Sequence, residues 1–313
     1  MALPDFLVIG VPKAGTTALY AALVRHPQLY LPAVKEPKFF LTGDAPPPCR
    51  GGPGDMQTYQ EQVWRREEYE ALFDAAPPGT RRGEATPFYL YDLAAHERIR
   101  RDVPRARLIA VLRDPVDRAH SNWAHLWAAG LEAQSDFVAA CAAEPARREA
   151  GWAHFWHYVG LGRYGEQLDH LYGLFPREQV LVLRYRDLVD RPTDTLDEVC
   201  RFLGVRTGLV AEVPAENVRP CPARTPLNDS LRTVLRFGGT IGYRFPVPWR
   251  HAVRGPLLSL LHRHTGPRPK LTRAQRAAVL PYFADDIARL ERITGDSYAD
   301  WLSVDHNTAL VPD

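Results

Sequence analysis

The stretch Phe6-Leu7-Val8-Ile9-Gly10-Val11-Pro12-Lys13-Ala14-Gly15-Thr16-Thr17 decides how the rest of the chain is read. Four apolar residues running into a glycine have the pattern of a strand buried on both faces of a parallel sheet. Thr16 to His26 then has helical spacing, with Leu19, Leu23 and Val24 on one face and Pro27 closing it. Strand, glycine-bearing turn, lysine and helix N-terminus are the parts of an anion cradle. Backbone N–H groups and the positive end of a helix dipole converge there on one spot. The two glycines have Walker A spacing, but the position after the second is Thr16, and the lysine stands two residues before Gly15.

Outward from this loop the same alternation continues. Leu108 to Leu112 reads as a second buried strand, followed by Arg113 and by a helix start at Asp114-Pro115. An arginine at that strand end opposes a cation and welcomes a phosphate. A helix over Tyr164 to Leu174 precedes a third strand at Val180 to Leu183, and Pro192 to Leu203 is a further helix ended by Gly204. Strands alternating with helices of this length predict a doubly wound α/β sheet. Thr272 to Ile293 has the register of one long amphipathic helix, with Leu280, Phe283, Ile287 and Leu290 on its apolar face. Two stretches break the pattern: a proline- and glycine-rich surface loop or flap near 42–58, and an arginine-rich insertion near 219–270. The insertion is expected to form short helices and loops over one edge of the sheet. With no repeat and no linker, residues 1–313 read as a single domain.

Composition limits the partners. Lys and Arg number 39 against 37 Asp and Glu, so a net charge of +2 sets up no overall field for nucleic acid or an anionic membrane. An anion must be held locally. Only four cations are lysine (Lys13, Lys35, Lys38 and Lys270), and three fall in the first 38 residues. Lysine offers a compact ammonium where arginine offers a planar fork, so the cluster marks a special site. Four cysteines without a C-x-x-C pair indicate free thiols in a reducing cytoplasm and no metal centre. The N-terminal apolar run is too short for a membrane span and lacks a basic start, so a soluble, cytoplasmic protein is expected.

Pro12-Lys13-Ala14-Gly15-Thr16-Thr17 resembles the 5′-phosphosulfate loop of sulfotransferases that use 3′-phosphoadenosine 5′-phosphosulfate (PAPS), and Arg113-Asp114-Pro115 with Ser121 resembles their 3′-phosphate site. Lys35-Glu36-Pro37-Lys38-Phe39-Phe40 and Glu84-Ala85-Thr86-Pro87 are similar to the heparan-sulfate-type branch, and Thr294-Gly295 followed by Trp301 to bacterial members. The resemblance covers residues 5–205 and 271–302 and leaves the arginine-rich insertion unmatched. It implies a three-layer α/β/α fold with a central parallel sheet, like that of P-loop-containing nucleoside triphosphate hydrolases. It also implies PAPS as donor and 3′-phosphoadenosine 5′-phosphate (PAP) as product, with no metal. The acceptor is then a hydroxyl of a saccharide or small molecule, with no nucleic acid or membrane partner; the oligomeric state is left open.

Roles follow from the resemblance. Lys13 stabilises the leaving phosphate oxygen. Backbone N–H groups at Gly15, Thr16 and Thr17, with one threonine hydroxyl, hold the 5′-phosphate, Lys13 and Ala14 belong to the same cofactor-binding loop, and Arg113 with Ser121 holds the 3′-phosphate. The alternatives for Arg113 are a salt bridge to Asp114 or Asp117, and Arg118 competes for its role. Glu36 is the candidate general base, acting late as the acceptor oxygen bonds to sulfur or else tuned by burial beside Phe39 and Phe40; the flanking Lys35 and Lys38 oppose such tuning and face sulfate or acceptor. Glu84 is a second catalytic carboxylate, orienting Lys13 or the acceptor, or else it pairs with Arg81 or Arg82. His120, His125, His154 and His157 are alternative bases. Tyr185 and Arg224, or Arg219, are candidates for further nucleotide contacts. Trp123, Trp127, Trp152, Phe155 and Trp156 read as core, with one available to stack on an acceptor ring. The rival functions are a metal-dependent P-loop kinase of a small metabolite and a non-catalytic nucleotide-binding relative.

Overall fold

The computed structural model describes residues 3–48, 51–53, 62–213, 221–222, 226–241, 247–261, 263, 265–266 and 269–305. Five parallel strands form the central sheet: β1 (Phe6–Gly10), β2 (Leu29–Tyr30), β3 (Arg81–Ala85), β4 (Arg107–Leu112) and β5 (Val180–Arg184), in the order β2-β3-β1-β4-β5. β1 is central and wholly buried, with Leu7 level with Glu84 on one side and Leu108 on the other. From β1 the chain winds outward to β2 and β3, then crosses to β4 and β5. The strand order reverses at β1, and the crevice at the carboxyl ends of β1 and β4 is where open α/β sheets bind ligands. Helices flank the sheet in a three-layer α/β/α arrangement.

Helix α1 (Thr16–Leu23) follows β1 directly, capped by Gly15 at φ 78°. It stops short of the expected His26. Pro27 disfavours a helical residue before it, and the His26 ring instead bonds the Arg206 carbonyl at 2.8 Å and accepts the Gln28 N–H at 3.2 Å. β2 and β3 escape the sequence pattern: β2 is two residues long, and β3 reads Arg-Arg-Gly-Glu-Ala with its charged end exposed. Gly83 is required there, because a Cβ would lie 2.0 Å from the Phe6 ring on β1.

Helix α2 (Leu93–Asp102) leads into β4, and α3 (Pro115–Ala128) leaves it, its N–H groups capped by Asp114. Helices α4 (Tyr164–Leu174) and α5 (Pro192–Leu203) lie where expected, α5 closed by Gly204 at φ 70°. The insertion contains longer helices than expected, α6 (Pro226–Ile241) and α7 (Val247–Leu261), which pack on each other through Leu231, Leu235 and Leu261. Arg232 on α6 lies 4.2 Å from the Trp127 ring of α3, seating the pair on the main body.

The long C-terminal helix is broken in two, α8 (Arg273–Val279) and α9 (Ala284–Thr294), by a 3₁₀ turn at Leu280–Tyr282. Pro281 lacks the N–H that a continuous helix needs and crowds the preceding turn. Phe283, Ile287 and Leu290 remain buried, and Asp286 accepts the Gly165 and Glu166 N–H groups at 2.8 and 2.9 Å, capping α4. Of the flap, positions 51–53 adjoin Trp152: Gly51 N–H donates to the Gly151 carbonyl at 2.7 Å, and a Cβ on Gly52 would meet the Trp152 ring at 2.9 Å.

Candidate active site

The loop between β1 and α1 is anchored by the Val11 N–H to the Val111 carbonyl at 3.0 Å. It then turns through two left-handed residues, Lys13 at φ 70° and Gly15 at φ 78°. The glycine is demanded twice. Its backbone lies in the region that L side chains avoid, and a Cβ would approach the Tyr185 ring to 3.0 Å. Such close approach brings the start of α1, with its N–H groups that have no intrahelical acceptor, against the residue that follows β5.

Arg113, just beyond β4, closes the other side. Its Nη1 donates to the Lys13 carbonyl at 3.1 Å, its guanidinium lies 4.8 Å from the Tyr185 ring centre, and its own carbonyl accepts the Tyr164 hydroxyl at 2.9 Å. The salt bridges weighed against a nucleotide role are not made. Arg276 of α8 takes Asp114 through two bonds of 3.1 and 2.6 Å and reaches Asp117 at 3.4 Å. Arg276 is buried and also donates to the Trp301 and Ser303 carbonyls. The acids beside Arg113 are thus occupied from behind, and its fork turns to the loop. Ser121 lies buried two turns along α3. Arg118 is wholly buried and donates to the Tyr158 carbonyl, its pKa lowered by burial. Arg219 and Arg224 lie outside the described residues.

The Lys35–Lys38 segment comes to the same loop. Lys35 Nζ donates to Thr17 Oγ1 at 2.7 Å and to Glu36 Oε1 at 2.9 Å, so one ammonium joins the phosphate-type loop to the candidate base. Glu36 and Lys38 have φ of 57° and 62°. Together with Lys13, three of the candidate side chains therefore spring from left-handed backbone, a conformation costing a non-glycine residue about 1–2 kcal/mol. Strain of this kind persists where the surroundings hold it, and it gathers at functional sites.

Behind Lys38 the support comes from Glu84. This carboxylate is 1% exposed and accepts hydroxyl hydrogens from Thr86 and Tyr89, both at 2.8 Å, and from Tyr69 at 3.1 Å. Thr86 Oγ1 in turn accepts the Lys38 N–H at 3.2 Å, and the Tyr89 hydroxyl accepts the Phe40 N–H at 3.3 Å. Tyr69 stacks on Phe39 with ring centres 4.3 Å apart. Burial pushes the Glu84 pKa up from 4.5 to about 7 against the opposing hydroxyl bonds. Two expectations are corrected. The burial foreseen for Glu36 falls on Glu84, whereas Glu36 is 28% exposed. Glu84 pairs with neither neighbouring arginine; Arg82 is bonded to Asp5, its backbone N–H at 2.8 Å and its Nε at 3.2 Å.

Of the alternative bases, His120 is buried with its ring 5.4 Å from that of Trp123, and the His125 ring lies 5.6 Å from that of Phe155. His157 is buried between the Tyr91 hydroxyl at 2.8 Å and the Trp152 carbonyl at 3.1 Å, and its ring is 5.5 Å from that of His154. Trp123, Trp127 and Trp156 are core residues, and Trp152 is partly exposed at the flap. Tyr69, Tyr89 and Arg276 belong to none of the sequence motifs, and Thr86 stands in one only as a neighbour of Glu84. Thr86 and Tyr89 stand two and five residues after Glu84, a short-range signal. Tyr69 and Arg276 come from distant segments and leave none. Among the described residues no group of three or more His, Cys, Asp or Glu forms a metal-ligand set.

The profile of the sulfotransferase family matches residues 4–208. The chain belongs to this family. Its similarity extends to human bifunctional heparan sulfate N-deacetylase/N-sulfotransferase 3, at 29% identity over 215 residues, 65% of this chain and 22% of that protein. Human heparan sulfate glucosamine 3-O-sulfotransferase 6 is 28% identical over 210 residues, 65% of this chain and 53% of that protein. The chain thus spans about half or less of the length of these curated relatives. A solved sulfotransferase from Alicyclobacillus acidocaldarius superposes with a TM-score of 0.74 at 27% identity, covering 97% of this chain and 100% of that one.

Proposed function

We propose that the protein moves the sulfuryl group of PAPS to a hydroxyl of a sugar, or of a glycosylated or other small molecule, releasing PAP. The observation that carries this reading is the Lys35 ammonium spanning Thr17 Oγ1 and Glu36 Oε1. It joins a loop suited to a phosphosulfate to a carboxylate suited to an acceptor hydroxyl, and the sulfuryl group has only a short way to travel between them. The N–H groups at Ala14 to Thr17 hold the 5′-phosphate, and Arg113, Ser121 and Tyr185 hold the 3′-phosphoadenosine portion. A guanidinium fork matches a terminal phosphate dianion and distinguishes PAPS from ATP.

During transfer the bond from sulfur to the phosphate oxygen breaks as the bond from sulfur to the acceptor oxygen forms. Lys13 donates a hydrogen bond to the departing oxygen, where negative charge grows. Glu36 accepts the acceptor's proton and passes it to solvent. An ordinary carboxylate is a weak base toward a sugar hydroxyl, so this proton moves late, once the new bond to sulfur has acidified it. Lys35 keeps Glu36 aimed. Glu84 works from behind, holding the backbone of Lys38 and Phe40 through Thr86 and Tyr89. The heparan-type relatives support a sugar acceptor, and Lys35 and Lys38 suit one carrying negative charge.

Ligand-induced stabilisation and turnover test the reading. PAP is expected to raise the unfolding temperature more than ATP with magnesium; equal or greater stabilisation by Mg-ATP would favour the kinase instead. With a labelled sulfate donor and a panel of sugar and phenol acceptors, Glu36→Gln is expected to bind PAP normally and lose turnover. Retained turnover in that variant would shift the base to Glu84 or a histidine.

A further inference from the structure

The net charge of +2 conceals a segregation. Residues 219–270 hold ten arginine or lysine residues against one acid, Asp229, whereas the remaining residues hold 29 basic against 36 acidic ones. The surplus of positive charge is therefore confined to the segment that carries α6 and α7, and the rest of the chain is acidic.

The same two helices expose apolar side chains in order. On α6, Leu227, Val234 and Phe237 are 56%, 53% and 67% exposed, while Leu231 and Leu235, about a quarter-turn round the helix, are buried. On α7, Trp249 and Val253 are 69% and 63% exposed, and Pro256 and Leu260 continue the series at spacings of four, three and four residues. On a helix of 3.6 residues per turn such spacing draws a single stripe. Leu257, Leu258 and Leu261 of α7 serve the contact with α6, so the stripe is not the packing face. Each helix thus has one apolar side turned inward and another turned to solvent, in a segment rich in arginine. Exposed aromatic and aliphatic residues on a basic amphipathic helix are the makings of an interfacial anchor.

We propose that α6 and α7 bind the surface of an anionic phospholipid bilayer. Phe237, Trp249 and Val253 enter the boundary between headgroups and acyl chains, and the net positive charge of the segment draws it to the anionic surface. Nucleic acid would satisfy the arginines but not the apolar stripes. A second copy would place two strongly basic segments face to face, because a two-fold interface pairs a patch with itself. No described helix is long and apolar enough to cross a membrane, in keeping with attachment to one leaflet. The proposal stands apart from the chemistry of the Lys13–Glu36 site.

Flotation of the full chain with vesicles tests it. Phosphatidylcholine vesicles containing phosphatidylglycerol should carry the protein upward, pure phosphatidylcholine vesicles should not, and added salt should release it as headgroup charge is screened. Phe237→Ser combined with Trp249→Ser should weaken partitioning roughly tenfold with an unchanged thermal unfolding midpoint. Val253→Ser provides a second variant should that pair unfold. Failure of the parent chain to float with anionic vesicles at low salt overturns the proposal, as does flotation undiminished by the substitutions. It is also overturned if the parent sediments as a dimer that Phe237→Ser with Trp249→Ser renders monomeric, since a second copy would then cover this face.

Discussion

Lys13, Arg113 and Glu84 each have a surrounding that makes a separable prediction. Replacing Lys13 or Arg113 by alanine removes charge-assisted hydrogen bonds worth about 1.5–3 kcal/mol each. PAP affinity measured by calorimetry should fall roughly tenfold to a hundredfold, while the fold stays intact. Glu84 acts on stability instead. Its folded pKa of about 7 exceeds the 4.5 of a free carboxyl, so between these values the folded state holds a proton that the unfolded state has lost. Stability contributed by this group is complete below about pH 4.5, declines as pH rises towards 7 and then levels off. Glu84→Gln should flatten that part of the pH dependence in urea denaturation. The motif spacing made Glu84 visible in the sequence, but its surroundings come from Tyr69, Thr86 and Tyr89. Only packing reveals that burial acts on this carboxylate rather than on Glu36.

At the scale of elements, the loop and its helix are set by local chemistry, and their supports are not. Gly15→Ala should destabilise the protein by about 1–2 kcal/mol from its left-handed backbone alone; denaturant unfolding gives the value. Crowding against Tyr185 should add to the effect and weaken PAP binding as well. The Asp114–Arg276 pair fastens α8 to the N-terminus of α3. Arg276→Ala strands a buried carboxylate and should cost about 3–5 kcal/mol, measurable in the same way. α3 was legible from Asp114-Pro115, and the apolar face of α9 from its periodicity. The break at Pro281 was misread because the apolar register runs on through it. β3 was missed because its charged first residues lie at an exposed strand end while only Gly83 to Ala85 are buried.

For the whole molecule, a ligand that binds the folded state alone adds stability by mass action, about 2.7 kcal/mol at a hundred times its dissociation constant. PAP should therefore raise the unfolding temperature in a concentration-dependent way, and Arg113→Ala should shift that dependence to higher concentration. The sequence by itself determined the fold class, the phosphate-type loop and the list of candidate residues. A buried parallel strand, a glycine turn and a helix start are written in neighbouring positions, and local sterics and hydrogen bonding suffice to read them. Only the tertiary structure decided which candidates meet. Lys35 reaches both Thr17 and Glu36, Arg276 takes the acids beside Arg113, and Glu84 rather than Glu36 is buried. Some of those contacts join distant segments, as Arg276 joins Asp114, and the energies of all depend on which atoms packing brings within reach and shields from water, which no local pattern encodes.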